Sequence, residues 1–186
     1  MKNRKYFFYI VVFLCSMLVT SLFLVLLPDD LRADQSGDFK GYYEPLATNL
    51  LLGRGYSLDG KRFCTYYPPG FPLIIAGQFW IARVFSLSES IVNLATNVVL
   101  VAFTITIFFH LTSKITKKIS ALIATCLLMT YPFLLWLTKQ PNSEIPFITF
   151  LFLSFSVFLS ASLWKKKNNL WFLLSGLLLG ISILIR

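Results

Sequence analysis

Apolar residues fall in five long runs, 6–27, 91–111, 119–138, 145–164 and 170–185, and the charges gather between them. A helix needs ~20 apolar residues to cross a bilayer core, and the first four runs meet that length or come close to it. The first, Tyr6 to Leu27, follows Met1-Lys2-Asn3-Arg4-Lys5. It exceeds the ~7–15 apolar residues of a signal peptide, and Leu26-Leu27-Pro28-Asp29 is a poor cleavage site, so it reads as an uncleaved anchor. Gly70 to Phe85 is apolar but too short to cross unaided and contains Gln78 and Arg83. It is expected to lie at the outer interface, with Trp80 as an anchor. The fold class is all-α and polytopic: about five transmembrane helices plus juxtamembrane helices in the outer loop 28–90, in a single membrane domain 1–186.

Charge orients these spans. Lys2, Arg4, Lys5, Lys114, Lys117, Lys118 and Lys165 to Lys167 occupy three stretches that hold no acid. By the positive-inside rule all three are cytoplasmic. Every carboxylate then faces outward, from Asp29 to Glu89 in the long loop and at Glu144 in the turn 139–144. The composition agrees: 56% hydrophobic and 13% charged excludes a soluble globular domain, and the net charge of +9 reads against the membrane rather than nucleic acid. Cys15, Cys64 and Cys126 show no metal or disulfide spacing. His110, at the inner end of the second run, reads as a packed imidazole.

The chemistry concentrates in the outer loop. Phe39, Tyr42/Tyr43, Leu46 and Leu50 recur at helical spacing, Gly53 suits a helix C-terminus and Asp38 stands where an N-cap would. Pro45 implies a start near Glu44 or a kink. Asp38 therefore has two readings: a cap, or a carboxylate held at the membrane surface as a general base. Arg54, Lys61 and Arg62, with Lys40, are cations able to meet either lipid headgroups or a phosphate leaving group. Tyr66-Tyr67-Pro68-Pro69-Gly70-Phe71-Pro72 forms a stiff entry to the interfacial helix or a ligand contact.

Asp38-x4-Tyr43-x3-Ala47-x-Asn49-Leu50-Leu51-x-Gly53-x-Gly55-Tyr56, followed by Pro68-Pro69-Gly70-Phe71-Pro72-Leu73, resembles the polytopic GT-C glycosyltransferases. The nearest likeness is to glycosyltransferase family 39, the dolichyl-phosphate-mannose–protein mannosyltransferases and aminoarabinose transferases. Asn142-Ser143-Glu144 resembles the family's outer-face acid after the third span. Gly176-x3-Gly180-x5-Arg186 resembles its Gly-rich fifth span, and the small residues Gly176 and Gly180 are expected to suit close helix packing. The resemblance implies transfer, with inversion, from a polyprenyl-phosphate sugar to an acceptor lipid, glycan or protein outside the membrane; no DxD triplet occurs, so the default expectation is transfer without a metal or other cofactor. It maps the catalytic base onto Asp38, with Asp34 as the alternative and Glu144 as a second acid. Tyr43, Arg54, Lys61, Arg62 and Pro69 are the candidate substrate contacts. The expected setting is a bacterial inner membrane with the N-terminus cytoplasmic. Family members are longer, so the chain is expected to be the N-terminal part of a GT-C module. The competing expectations are a non-catalytic transporter subunit or assembly factor, which few polar residues within the spans support, and an inactive truncated product.

Overall fold

The computed structural model describes residues 2–32, 37–163 and 169–186. Asp34 and the Lys165 to Lys167 cluster lie outside them. The described residues are all helical apart from loops and one isolated bridge, Ser57 to Phe63. Three helices are long and apolar enough to cross a membrane, over Tyr6–Leu26, Glu89–Ile115 and Glu144–Ser162. Gly70–Val84, Lys118–Met129 and Asn169–Ile185 are shorter apolar helices.

α1 (Lys2–Leu26) shows why a uniformly apolar run still packs in one direction. Val12, Ser16 and Thr20 recur every fourth residue and are buried, while Leu14, Leu18 and Leu22 are exposed. Small polar residues let two helices approach closely in lipid, and α1 packs on α5 (Glu89–Ile115) along this stripe. The Phe13 and Phe103 rings meet at 5.0 Å. The α5 helix begins with Ser88, whose hydroxyl caps the Ile91 amide at 3.2 Å. Glu89 stands in its first turn and Lys114 in its last, both favourable to the helix dipole.

The third apolar run is not a single helix. α6 (Lys118–Met129) stops and α7 (Pro132–Leu137) begins two residues after Thr130. Pro132 crowds the residue before it out of the helical region, and Tyr131 is extended at φ −66°, ψ 116°. The proline then opens the next helix, where its missing N–H costs nothing. α8 (Glu144–Leu163) packs between α5 and α9 (Asn169–Ile185). Thr104 and Thr149 join α5 to α8 at 2.6 Å. Ser154 and Ser175 join α8 to α9 through reciprocal bonds to each other's carbonyls, at 2.8 and 3.0 Å. Gly176 and Gly180 have open space around them instead, so serines rather than the expected glycines make this contact.

Two short elements precede α4 (Gly70–Val84): α2 (Asp29–Arg32), directly after α1, and α3 (Glu44–Leu51). A π-helical turn over Phe39–Tyr43 runs directly into α3. As Pro45 implied, α3 starts at Glu44, and Gly53 follows it with φ +69°. Phe39, Ala47, Phe71, Ile75, Phe79 and Ile185 form one core that ties this layer to the end of α9. A second core deeper in the bundle joins Val12, Val101, Ile105, Phe109, Ala121 and Ile145.

Candidate functional site

The site is built where the loop layer meets the ends of α8 and α9. Asp38 is exposed, already helical at φ −66°, ψ −37°, and makes no capping bond. The cap reading thus has no support, and the carboxylate is left available to another partner. The π turn that follows widens the helix by one residue. Such turns occur often at functional positions, and this one sets Tyr42 and Tyr43 side by side against Tyr67. Their ring centroids lie 4.6 and 5.2 Å from that of Tyr67. Tyr66 adds an edge contact to Tyr67 at 5.0 Å, and Phe71 one to Tyr43 at 4.8 Å.

Tyr43 is the centre of this group. Burial raises the pKa of its phenol most strongly. The Ser143 side chain hydrogen-bonds to it and opposes that rise. Asp38 and Glu144 raise it further through their charge, and Arg186 lowers it. One tyrosine thus senses residues from the π turn, the turn before α8 and the end of α9. Tyr67 is likewise pushed up, by desolvation first and by Asp38 next. Glu144 opens α8, and its Oε1 lies 3.5 Å from the Arg186 guanidinium. Both side chains keep solvent access, so the pair is of the kind that contributes little to stability. Its cation is free to reorient toward an anionic ligand.

Pro69 precedes α4 as its N-cap residue and is exposed. The predicted cations lie elsewhere, on the 53–69 loop. Asn49 Nδ2 donates to the Ser57 and Leu58 carbonyls, at 2.8 and 3.2 Å. The Tyr56 hydroxyl donates to the Tyr67 and Pro68 carbonyls, at 2.8 and 3.1 Å. Asp59 Oδ1 accepts from the Lys61 and Arg62 amides, both at 2.9 Å, which draws its carboxyl below the ordinary carboxylate range. Arg54, Lys61 and Arg62 are exposed, and among the described residues no ion pair or hydrogen bond links them to Asp38, Tyr43 or Glu144. The structure therefore gathers Asp38, Tyr43 and Glu144 and leaves the three loop cations apart. Asp34 lies outside the described residues.

Sequence reasoning treated Arg186 only as a landmark and did not single out Ser143 or Tyr67 as site residues. The signal for Arg186 was a lone cation at the end of an otherwise uncharged apolar run. Chemically, the group offers an exposed carboxylate able to take a proton, a cation beside a second carboxylate, and aromatic faces suited to the apolar face of a sugar ring. Among the described residues, no three His, Cys, Asp or Glu side chains gather as a metal site would require.

A family profile described as dolichyl-phosphate-mannose-protein mannosyltransferase matches residues 67–186. That stretch includes Tyr67, Pro69, Ser143, Glu144 and Arg186, while Asp38 and Tyr43 precede it. No curated protein and no solved structure matches the chain.

Proposed function

The chain belongs to the dolichyl-phosphate-mannose-protein mannosyltransferase family, and from that premise we propose that it is a membrane glycosyltransferase, or the N-terminal part of one. It takes a sugar from a polyprenyl-phosphate donor and moves it, with inversion, to an acceptor on the outer face of a bacterial inner membrane. About five spans carry the chain across that membrane, with the N-terminus cytoplasmic.

Asp38 acts as the general base. It takes the proton of the acceptor hydroxyl as that oxygen attacks the anomeric carbon. The bond from that carbon to the phosphate oxygen breaks on the opposite face, and polyprenyl phosphate leaves. Arg186 is suited to meet the phosphate charge as it develops. Tyr43, kept protonated by burial and by Asp38 and Glu144, can donate to substrate without competing as a base. Tyr42 and Tyr67 present ring faces to the sugar. Glu144 orients Arg186 and is the second acid of the site. Arg54, Lys61, Arg62 and Pro69 remain candidates for outer contacts, with either the donor or lipid headgroups.

The observation that supports this reading is the convergence of Asp38, Tyr43, Tyr67, Glu144 and Arg186 at one end of the bundle. The test is Asp38→Asn in the full-length protein, assayed in membranes with labelled polyprenyl-phosphate sugars. General base catalysis contributes about 10²–10⁴-fold, so transfer should fall by that factor while membrane insertion is unchanged. Transfer at the original rate would remove Asp38 as the base.

A further inference from the structure

Two cavities of about 280 and 450 Å³ share Ser90, Leu94 and Lys139 as common wall. The first carries the charged groups: Glu44, Glu89 and Lys139 line it with Asn93, among apolar walls that include Phe39 and Phe79. The second is apolar, against Leu24, Val25 and Leu27 at the end of α1. Together they form a groove with a polar head and an apolar tail.

Two buried groups in the polar part are incompletely satisfied. Asn93 is only 6% exposed, and its side-chain oxygen has no hydrogen-bond partner among the described residues. A buried acceptor of this kind calls for a donor. Lys139 is also 6% exposed. Its ammonium donates to the Leu31 carbonyl at 2.8 Å and lies 3.9 Å over the Trp136 ring. Among the described residues no carboxylate pairs with it, and an ammonium has three donors to place.

The chemistry of an occupant follows from these groups. Lys139 calls for an anion. Asn93 Oδ1, Glu89 and Glu44 call for a cationic hydrogen-bond donor. A simple anion would satisfy the lysine but leave Asn93 unpaired and meet two carboxylates. A soluble zwitterion would leave the Leu24–Leu27 trough facing water. We propose that a phospholipid with a primary-amine headgroup occupies this groove. Its phosphate rests on Lys139, its ammonium lies toward Asn93, Glu89 and Glu44, and an acyl chain lies along the end of α1. Because Phe39 and Glu44 form one wall, the lipid braces the π turn that follows Asp38.

The test is native mass spectrometry of the full-length protein in mild detergent, exchanged with equimolar phosphatidylethanolamine, phosphatidylglycerol and phosphatidylcholine. The ethanolamine lipid should be retained about tenfold over the choline lipid, whose quaternary nitrogen cannot donate. Glu89→Gln, at an exposed position, and Asn93→Leu should each erase most of that preference. Melting curves establish that the variants are folded, and Glu89→Gln decides the matter if Asn93→Leu does not fold. Equal retention of all three lipids, preference for the glycerol lipid, or unchanged selectivity in Glu89→Gln would overturn the proposal.

Discussion

Tyr56 shows how a single hydroxyl holds the loop that fronts the site. It donates to two successive carbonyls just ahead of Gly70, and burial is the main reason its pKa is pushed up to about 12. The unfolded value is ~10. A raised value means that folding favours the protonated form. The contribution is therefore complete below pH ~10 and is lost as pH rises from ~10 to about 12. Tyr56→Phe should cost about 1 kcal/mol at neutral pH and flatten this alkaline limb, read as thermal stability against pH. An unchanged limb would assign the loss to other tyrosines. Asn49, which pins the same loop, and Asp38 were both visible in the residue pattern. That Asp38 makes no cap was not, because it depends on the helical conformation that Gly37 and Asp38 already hold. Arg186 escaped for a related reason: its value comes from Glu144 and Tyr43, which are far away in the chain.

At the scale of elements, hydrophobic runs located every long helix but could not mark the break in the third. Tyr131-Pro132 carried that signal, and it was hidden by unbroken apolarity on both sides. Run length likewise said nothing about contacts. Gly176 and Gly180 looked like packing positions, whereas the close approach occurs at Gly70. A Cβ there would fall 2.5 Å from the Leu184 carbonyl oxygen and 2.9 Å from the Ile185 Cα. Backbone cannot move aside as a side-chain tip can, so Gly70→Ala should destabilise by about 1–3 kcal/mol. Gly77 lies in the same helix, and a methyl group added there would meet nothing within 4 Å. Gly77→Ala should be neutral or stabilising by up to about 1 kcal/mol. Melting temperatures of the two variants in detergent check the pair. Equal effects would mean that helix propensity, rather than the α4–α9 contact, sets the response.

At the scale of the whole molecule, the charge asymmetry and the packing make the same topological argument by independent routes. At one end, Lys118 lies 3.1 Å over the Phe8 ring, and Tyr9 bonds His110 at 3.0 Å. This joins the start of α1 to the end of α5 and the start of α6, all next to basic stretches. At the other end, Phe39, Glu44, Glu89 and Lys139 share one cavity, and Ile185 joins the core of the loop layer. Both ends of α4 stay at that end: Gly70 abuts Leu184, and Glu89, which opens α5 directly after α4, lines the shared cavity. In the proposed topology, a helix with both ends there would lie across the interface rather than through it. Cysteine labelling tests this directly. Cys64 is in the loop between α3 and α4 and partly exposed, while Cys15 lies on α1, long and apolar enough to cross a membrane, and Cys126 on the shorter apolar helix α6. A membrane-impermeant maleimide applied to intact cells with a permeabilised outer membrane should therefore label Cys64, and Cys64→Ser should remove the signal. Thr116→Cys, added to Cys64→Ser at the exposed basic end of α5, should react only after lysis. If α4 crossed the bilayer, every later span would invert, and Thr116→Cys would label from outside. That outcome would place Glu144 and Arg186 on the opposite side from Asp38 and dismantle the proposed site along with the topology.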